Sequence, residues 1–222
     1  MGFFKEWDDI YKKKSNFSIW PWSDVVSLTH NYILTPSLKK KKIRVLELGC
    51  GAGANIPFFL NKSFDYHGVD GSKTIINLLK KRYPKLKKKL QAEDFTKKIP
   101  FGNNFDLILD RASLICNDED SIKFTIKMLK KKLKKGGKFI AVDWYSTKHI
   151  DFKNGKRFKD NFTKKLSRKS VFSNNLIIQF LNENKIKNYF KGFKFKLLYE
   201  KVIKTKIKKK FITASWSLVV EK

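Results

Sequence analysis

The 222-residue chain carries 50 lysines and arginines against 20 aspartates and glutamates, which gives a formal net charge of +30. Apolar residues make up 41% of the chain, with 20 phenylalanines, 7 tyrosines and 5 tryptophans, so the composition excludes a disordered protein. The length suits one α/β domain with a substantial core and is too short for two domains of ordinary size.

The pattern of apolar residues changes near residue 43. Residues 3–35 are aromatic-rich and have a helical pattern, with a turn at Trp20-Pro21-Trp22 and a helix start that Ser23 or Asp24 is placed to cap. From there, short apolar runs end at Leu48, at Asp70, near Ala92, at Asp110 and at Trp144, with helical stretches between them. This alternation indicates an α/β fold whose parallel strands are buried on both faces.

The strongest local signal is a strand that runs into Gly49, Gly51 and Gly53 and then into a helix. Glycines there permit a tight turn and let backbone N–H groups approach a ligand beside the positive end of the helix. Pro57 falls in the first helical turn, where its missing N–H has no intrahelical partner. Asp70 ends the next strand, at the sheet edge where a carboxylate can accept both ribose hydroxyls. The turn and the acid together predict a nucleoside site.

Two classes of nucleotide share this plan, because Gly49-x-Gly51-x-x-Ala54 also satisfies the dinucleotide fingerprint. Glu47 argues against NAD, since two residues before the first glycine it would repel a pyrophosphate but not the cationic methionyl end of S-adenosylmethionine. A short-chain dehydrogenase would need Tyr-x-x-x-Lys late in the fold, and the candidate at 83–87 comes early and contains a proline. The charge therefore favours the sulfonium cofactor.

The second half of the chain has one clear helix. Ile122, Ile126, Leu129 and Leu133 form an apolar stripe opposite lysines, and we expect this helix to stop at Gly136-Gly137. After a poorly patterned, lysine-rich segment at 148–170, the pattern predicts a helix at 174–184, a strand at 193–199, a basic turn and a final strand at 212–220.

These motifs resemble those of the class I, Rossmann-like S-adenosylmethionine-dependent methyltransferases. Residues 45–53 resemble the first signature of that family, Asp70 its ribose-binding acid, 93–95 the stretch that meets the adenine, and 105–111 the fourth strand with its active-site end. The resemblance spans roughly residues 43–144. It implies a three-layer αβα fold with a seven-stranded, mostly parallel sheet in the order 3-2-1-4-5-7-6 and an antiparallel last strand.

The resemblance also implies one domain with four parts. These are an N-terminal helical lid (1–38), a cofactor-binding core (43–144), a substrate-side insert (145–190) and a terminal β-hairpin (191–222). The region around Trp20–Asp24 and the segments after the fourth and fifth strands are similar to a bacterial group of methyltransferases often assigned to small molecules or surface polysaccharide.

The cofactor-binding residues implied by the resemblance follow the first three strands: Glu47, Gly49, Gly51, Gly53, Asn55, Asp70, Gly71, Ser72, Asp94 and Phe95. The glycines would surround the methionyl part, Asn55 would lie near its carboxylate, and Asp70 would hold the ribose. Asp94 would bind the adenine amino group and Phe95 would pack on the ring. As alternatives, Ser72 or Asp94 caps a helix and Phe95 belongs to the core.

Methyl transfer is a direct displacement, so an enzyme mainly aligns the reacting atoms and removes a proton where the nucleophile is a hydroxyl. Asp110-Arg111-Ala112-Ser113 stands where adenine methylases have Asn/Asp-Pro-Pro-aromatic, which favours other oxygen or amine acceptors. We expect Asp110 to orient or deprotonate a hydroxyl and Arg111 to pair with an acceptor's phosphate or carboxylate. The alternative is a structural ion pair between Asp110 and Arg111.

Further candidates flank this core. His149 is the best placed of the three histidines for a general base with a pKa near neutrality, or else it is a surface residue. Tyr11, Trp20 and Trp22, together with Trp7, either form a lid that contacts the acceptor or pack the N-terminal helix onto the core.

The positions of the basic residues are more informative than their number. Few are arginines, and an AT-rich genome would produce abundant lysine regardless of function. Lysines at 39–42, 85–89 and 130–135 precede strands and should lie at the amino edge of the sheet, whereas those at 148–169 and 204–210 should lie on the cofactor side. This favours an anionic acceptor, either a small molecule or a sugar or glycan precursor. An RNA methyltransferase with a basic binding face is the alternative.

Location and metal content complete the expectations. No apolar run approaches the roughly 20 residues of a membrane-spanning helix, and the first residues lack the pattern of a secretion signal. Cys50 and Cys116 suggest neither a disulfide framework nor a thiolate metal site. We expect a cytoplasmic protein without a membrane span or a metal.

Overall fold

The computed structural model describes residues 5–12, 18–34, 42–166, 176–206 and 211–222. Its strands are β1 (Arg44–Leu48), β2 (Asp65–Asp70), β3 (Leu90–Ala92), β4 (Phe105–Arg111), β5 (Leu133–Tyr145), β6 (Lys156–Phe158), β7 (Asp160–Lys165), β8 (Ile177–Gln179), β9 (Lys194–Lys204) and β10 (Ile212–Glu221). Its helices are α1 (Lys5–Lys12), α2 (Ser23–Tyr32), α3 (Ile56–Asn61), α4 (Lys73–Arg82), α5 (Glu119–Lys132), α6 (Ile150–Asn154) and α7 (Glu183–Tyr189), with short 3-10 helices at Pro84–Lys89 and Leu114–Cys116.

The main sheet has seven strands among the described residues, in the order β3-β2-β1-β4-β5-β10-β9. Strands β1 to β5 pair in parallel, and β10 is antiparallel to both β5 and β9. The labels differ from the predicted order 3-2-1-4-5-7-6 because β6, β7 and β8 form a separate three-stranded sheet. Within the main sheet, β9 and β10 are the sixth and seventh strands, and the predicted Rossmann-like fold is confirmed.

Helices cover both faces of this sheet, as three-layer packing requires. On one face α2, α3 and α4 bury apolar side chains such as Val25, Ile56 and Ile75, and on the other α5 and α7 bury Ile122 and Ile186. The burial of all five residues of the run at 105–109 explains why the central strands read as continuous apolar segments. Parallel strands buried in this way bring their carboxyl ends to one edge of the sheet.

Helix α5 carries the predicted apolar stripe but ends earlier than predicted. Ile122, Ile126 and Leu129 are buried, and the Asp118 carboxylate caps the helix by accepting from the Ser121 amide at 3.1 Å. The helix ends at Lys132 because Leu133 already has an extended backbone and pairs with Phe105 in the sheet. The glycines at 136–137 lie beyond the helix, inside β5.

The prediction of a helix at 174–184 is wrong in the described part of that range. Ile177–Gln179 forms β8, which pairs with β7, and α7 begins only at Glu183. The run at 176–181 is buried throughout, so β-branched and apolar side chains there favour a strand. The Asn182 side chain accepts from the Lys185 amide at 2.9 Å, which sets the later helix start. Residues 167–175 lie outside the described residues.

The N-terminal region has the two helical stretches that its pattern predicts, but the predicted cap of α2 is wrong. Trp22 occupies the N-cap position without a side-chain capping bond, and Asp24 in the first turn forms an ion pair with Lys201 at 3.2 Å. None of the described helices combines the length and the apolar character that crossing a bilayer demands.

The turn into β5 leaves no room for a side chain at Gly137. A Cβ there would lie 2.7 Å from the carbonyl oxygen of Phe105 and 2.9 Å from that of Lys134. We expect Gly137→Ala to lower the free energy of unfolding by about 1–3 kcal/mol, as overpacking does, and Tm by about 2–10 °C in thermal denaturation. At Gly102 a Cβ would meet no atom within 4 Å, so Gly102→Ala is the matched control and should leave Tm within about 2 °C. Equal Tm values for the two variants would contradict this packing.

Candidate active site

A cavity of about 520 Å³ lies at the carboxyl ends of the main strands. Its β1–β3 half is lined by residues at the ends of those strands: Glu47, Gly49, Cys50, Gly51, Asn55, Asp70, Gly71, Asp94, Phe95 and Thr96. Its β4–β5 half is lined by Arg111, Ala112, Ser113, Cys116, Asn117 and Tyr145, joined by Trp22 and by Leu176 and Ile178 from the insert. The cavity therefore lies at the edge of the sheet where the sequence predicts the site.

The glycine turn after β1 depends on left-handed backbone conformations. Gly49 has φ +59° and Gly51 has φ +49°, and a Cβ at Gly49 would overlap the Cβ of Ser113 in the loop after β4. Gly53, with φ +80°, is not among the described residues that line the cavity. A Cβ there would crowd Leu79 and Ile56, so this glycine serves the packing of the turn.

Asp70 ties the end of β2 to the glycine turn. One carboxylate oxygen accepts from the Gly51 amide at 3.0 Å and the other from the Ser72 amide at 2.9 Å. Burial raises the pKa of Asp70 to about 6 against the lowering effect of these two hydrogen bonds. Because each carboxylate oxygen can accept more than one bond, Asp70 retains acceptor capacity towards the cavity.

Glu47 is a buried acid in the wall of the cavity. Its two oxygens accept from the Asn55 side-chain amide and from the Tyr66 hydroxyl, both at 2.7 Å. Burial raises the pKa of Glu47 to about 7. The Asn55 side-chain oxygen accepts from the Trp22 backbone amide at 3.2 Å, so the Asn55 side chain also ties the N-terminal segment to β1. A buried carboxylate at a cavity wall disfavours an anionic ligand and favours a cationic one.

Ser72, Asp94 and Phe95 show the structural roles that the sequence left open. Ser72 is buried, caps α4 through the Ile75 amide at 3.2 Å, and is not one of the described cavity-lining residues. Asp94 lines the cavity and also accepts from the Thr96 amide at 3.0 Å and the Thr96 hydroxyl at 2.6 Å. Phe95 both lines the cavity and belongs to the core.

Helix α1 lies over the glycine turn. Trp7 and Tyr11 line the cavity, and the Tyr11 hydroxyl oxygen lies 2.9 Å from where a Cβ on Gly51 would be. Asp8, on the same helix, accepts from the Ser72 hydroxyl and from the Thr74 amide at 3.3 Å, which anchors α1 at the start of α4. Trp20 is 77% exposed and lies away from the cavity wall.

Arg111 is the one basic residue among the described residues that line the cavity. It does not pair with Asp110, which was the structural alternative. Its Nε and Nη2 atoms contact one oxygen of Asp143 at 3.2 and 2.9 Å. Its guanidinium carbon lies 3.6 Å from the centre of the Trp22 ring. The guanidinium is therefore held between an acid from β5 and an aromatic ring from the N-terminal segment.

Asp110 does not line the cavity but lies directly behind Ser113, which does. Its carboxylate accepts from the Ser113 hydroxyl, from the Leu114 amide at 2.9 Å and from the Trp144 indole N–H at 2.6 Å. Burial raises the pKa of Asp110 to about 6. The expectation that Asp110 contacts an acceptor directly does not match this geometry, because Ser113 stands at the wall and Asp110 does not.

His149 is also displaced from its expected place. Its Nδ1 atom accepts from the Asp151 amide at 3.1 Å and caps α6, and its ring packs 5.4 Å from Tyr145 and 6.0 Å from Phe180. It is 2% exposed, so it is not a surface residue, and burial lowers its pKa. Tyr145 rather than His149 lines the cavity, so the geometry does not favour His149 as the base.

Sequence reasoning missed most of the β4–β5 half. Ser113 and Asn117 follow β4 and Tyr145 is the last residue of β5, so their position at the ends of predicted strands was a usable signal. Ile178 had no such signal, because its segment was interpreted as a helix. Asp8 had no such signal either, because its hydrogen-bond partner at the start of α4 is 64 residues away in the sequence.

The described basic residues among those expected on the cofactor side do not line the cavity. Among the described residues at 148–166, Lys159 pairs with Asp118 at 2.5 Å and Lys148 pairs with Glu200. Residues 168, 169 and 207–210 lie outside the described part of the chain. At the opposite edge, Lys89 pairs with Asp65 at the start of β2, as the placement of that cluster predicted. The described residues contain no cluster of metal-ligating side chains.

Residues 45–137 match the family model of a methyltransferase domain. No curated protein sequence is significantly similar to the chain. A solved S-adenosylmethionine-dependent methyltransferase from Methanosarcina mazei is 17% identical with a TM-score of 0.69, over 91% of this chain and 98% of that one. One from Clostridium acetobutylicum is 17% identical with a TM-score of 0.64, over 97% and 96%.

A third similar structure contains ligands. It is the 1,6-didemethyltoxoflavin N1-methyltransferase of Burkholderia thailandensis with bound 1,6-didemethyltoxoflavin and S-adenosylhomocysteine. It is 13% identical to this chain with a TM-score of 0.62, over 99% of this chain and 83% of that one. At these identities the structural similarity concerns the fold.

The part of the chain that matches a methyltransferase domain contains the glycine turn and its two buried acids, and the sheet has the topology of a class I methyltransferase fold. Solved S-adenosylmethionine-dependent methyltransferases share the fold of this chain over nearly its whole length.

The bond between Asp110 and Trp144 gives a pH-dependent test of this geometry. Trp144→Phe removes the indole N–H, so one oxygen of the buried Asp110 carboxylate loses its hydrogen-bond donor. The pKa of Asp110 in the folded protein should therefore rise further above its value in the unfolded protein. An acid with a raised folded pKa loses stability as pH rises from the unfolded to the folded pKa. The destabilisation should therefore be small near pH 4 and about 2–3 kcal/mol above pH 7, measured by thermal denaturation.

Trp216→Phe is the matched control for that variant. The Trp216 indole N–H donates to the uncharged carbonyl of Leu181 at 2.9 Å, so its loss should cost about 1 kcal/mol at every pH. If both tryptophan variants show the same pH profile of stability, Asp110 does not carry the charge inferred here.

Proposed function

We propose that this chain is an S-adenosylmethionine-dependent methyltransferase that transfers the methyl group to an oxygen or nitrogen of a small anionic molecule. The observation that supports this most strongly is the position of Arg111 in the β4–β5 half of the cavity. Asp143 occupies the Nε and Nη2 side of the guanidinium, which leaves the Nη1 side for a carboxylate or phosphate of the acceptor. A sugar or glycan precursor with such a group meets the same requirement.

The size and walls of the cavity support a small acceptor. Its volume of about 520 Å³ is within the range of about 300–1,000 Å³ that is usual for small-molecule sites. Trp22 and Tyr145 contribute aromatic rings to the β4–β5 half, and Leu176 and Ile178 contribute apolar side chains. These walls suit a compact molecule with a ring and one charged group.

The cofactor belongs, in this proposal, to the β1–β3 half. When bound, it supplies a methyl carbon activated by a positively charged sulfur. The amides at Gly49 and Gly51 and the Asn55 side chain would hold the methionyl part, and Asp70 with Gly71 would hold the ribose. Asp94 and Phe95 would contact the adenine. Glu47 complements the positive charge. Gly53 and Ser72 would act through the shape of the turn and of α4 rather than by contact.

The other parts of the chain follow from the cavity. Residues 1–38 would act as the lid, since Trp7, Tyr11 and Trp22 lie over the cavity, and Trp20 would have no part in it. Residues 145–190 would act as the substrate-side insert, since they contribute Leu176 and Ile178. We also propose a cytoplasmic location, in keeping with two cysteines that are buried free thiols.

RNA is the second candidate acceptor, and one observation favours it. Strands β6 and β7 place Lys156 opposite Lys165 and Arg157 opposite Lys164. Like charges directly opposite each other destabilise a strand pair, and a bound phosphate backbone would relieve that repulsion. This ribbon lies away from the cavity wall, so Arg111 and the ribbon can be tested separately.

The cofactor site predicts a pH dependence of binding. Asp70, with a pKa of about 6, and Glu47, with a pKa of about 7, should both be ionised in the complex. The affinity for S-adenosylmethionine should therefore rise as pH increases through this range and level off above about 7, with release of protons on binding. Calorimetry in two buffers of different protonation enthalpy measures the affinity and the protons released.

Two variants make this measurement specific. Asp70→Asn should weaken binding by about 10- to 100-fold and remove the part of the pH dependence that belongs to Asp70. Asp65→Asn changes a carboxylate at the opposite end of the same strand and should leave binding unchanged. An affinity that is constant from pH 5 to pH 8 would exclude ionised acids as the binding groups.

The acceptor class can be identified with labelled cofactor. Methylation of a fractionated cell extract, with small metabolites, RNA and envelope glycans assayed separately, should label the small anionic fraction. Arg111→Gln should reduce this labelling by at least about 10-fold, because it removes the charge at the cavity. The triple variant Lys156→Gln, Arg157→Gln and Lys165→Gln should leave it unchanged. The reverse result, with RNA labelled and a steep salt dependence, would establish the second candidate instead.

A further inference from the structure

Ser113 places a hydroxyl at the junction of the two halves of the cavity. It follows β4, it lines the cavity, and its side chain lies so close to Gly49 that a Cβ at that glycine would overlap it. The absence of a side chain at Gly49 therefore permits the hydroxyl to reach the turn that holds the methyl donor. A group at this point is adjacent to both substrates of the enzyme.

The Ser113 hydroxyl is connected to the buried acid behind it. Its oxygen lies 2.9 Å from the carbonyl oxygen of Leu48 and forms a hydrogen bond with the Asp110 carboxylate. A hydroxyl has one hydrogen, and a charged carboxylate is the stronger of these two acceptors. With its hydrogen directed to Asp110, the serine oxygen keeps lone pairs for a group bound in the cavity.

Asp110 is suited to receive a proton through this bond. It is fully buried, and the groups facing it are the Trp144 indole, the Leu114 amide, the Cys116 thiol and the carboxylate of Glu47 on β1. Arg111, the next residue, is held by Asp143, so its charge is directed to another acid. Burial keeps the pKa of Asp110 near 6, a value that allows a carboxylate to act as a base at neutral pH.

The remaining titratable groups in the described β4–β5 half are poor bases. Burial raises the pKa of the Cys116 thiol to about 12 and raises that of the Tyr145 hydroxyl, so both stay protonated. Arg111 is permanently charged. The chain segments outside the described residues contain neither a histidine nor a carboxylate in their sequence. Ser113 with Asp110 is thus the best-placed route for a proton.

We propose that Ser113 and Asp110 form a proton relay that deprotonates the methyl acceptor, and that Ser113 is the catalytic residue of this step. The proposal rests on the small anionic acceptor described above. The acceptor's O–H proton passes to Ser113 Oγ while the serine's own hydrogen passes to Asp110. The acceptor's lone pair forms the bond to the methyl carbon, and the electron pair of the broken carbon–sulfur bond neutralises the sulfur. Asp110 later returns its proton to solvent by the reverse route.

The test compares acceptors that need a base with acceptors that do not. The probe that needs a base is 4-hydroxybenzoate, which carries a carboxylate for Arg111 and a hydroxyl that is protonated at neutral pH. The probes that need none are 4-aminobenzoate, whose neutral amine has a free lone pair, and 4-mercaptobenzoate, whose thiol ionises near neutral pH. Ser113→Ala should lower kcat for 4-hydroxybenzoate by about 100- to 10,000-fold and leave kcat for the amine and the thiol within about threefold. The Kd for S-adenosylhomocysteine should be unchanged.

The pH profile and the isotope effect give readouts that a merely structural role would not move. The wild-type rate with 4-hydroxybenzoate should fall at low pH as Asp110 becomes protonated, and a proton inventory in mixed light and heavy water should indicate two transferred protons. Both features should disappear in Ser113→Ala. The control is Ser146→Ala, which removes a buried serine that donates to Glu200 outside the cavity and should preserve kcat and both features.

Each outcome has a distinct meaning. An equal loss of rate on the hydroxyl and thiol probes, or a one-proton inventory in the wild type, would overturn the relay while leaving the small anionic acceptor intact. Methylation of none of the three probes at millimolar concentration, together with labelling of RNA alone in the extract, would overturn the proposed function and the relay with it.

Discussion

The close approach of Gly49 to Ser113 is the contact on which the rest of the site depends. It joins the turn after β1, in the half of the cavity proposed for the cofactor, to the loop after β4, where the half proposed for the acceptor begins. The left-handed backbone at Gly49 and the absence of its Cβ are both required, because any side chain there would overlap the serine. Two chain segments more than 60 residues apart thereby form a single cavity.

The electrostatics of the site differ from those of the whole protein. The chain has a formal net charge of +30, yet Glu47, Asp70 and Asp94 line the cavity, with Arg111 as the one cation among its described lining residues. Lysines are instead engaged elsewhere, for example Lys89 with Asp65 at the amino end of β2. A buried group of acids suits a cofactor with a positive sulfur, so the net charge is a poor guide to what the cavity binds.

The sequence was sufficient for the sheet and for the β1–β3 half of the cavity, because both depend on local patterns. Buried strands read as apolar runs, and the glycine turn and Asp70 occur at strand ends, where chain order alone places them at one edge. The β4–β5 half was less accessible. Arg111 pairs with Asp143 rather than Asp110, and His149 is turned into the core, and neither fact has a local signal.

The wrong helix at 174–184 shows the same limit. The apolar run at 176–181 is compatible with a buried helix or a buried strand, and only its pairing with β7 decides between them. The sequence also left open whether Asp94 has a capping role or a binding role, and in the structure it both caps a turn and lines the cavity. Sequence patterns therefore identified which segments are buried better than they identified which partner buries them.

The N-terminal segment connects the two halves of the cavity. The Trp22 ring stacks on Arg111, while the Trp22 amide donates to Asn55, whose own amide donates to Glu47. Trp22 thus contacts Arg111, which would bind the acceptor's charge, and is itself hydrogen-bonded to Asn55 in the β1–β3 half of the cavity. Asp143 completes the arrangement by linking Arg111 to Ser215 on β10 at 3.3 Å. Because the position of Arg111 depends on three segments distant in sequence, the proposed acceptor contact is encoded in tertiary contacts and not in any single motif.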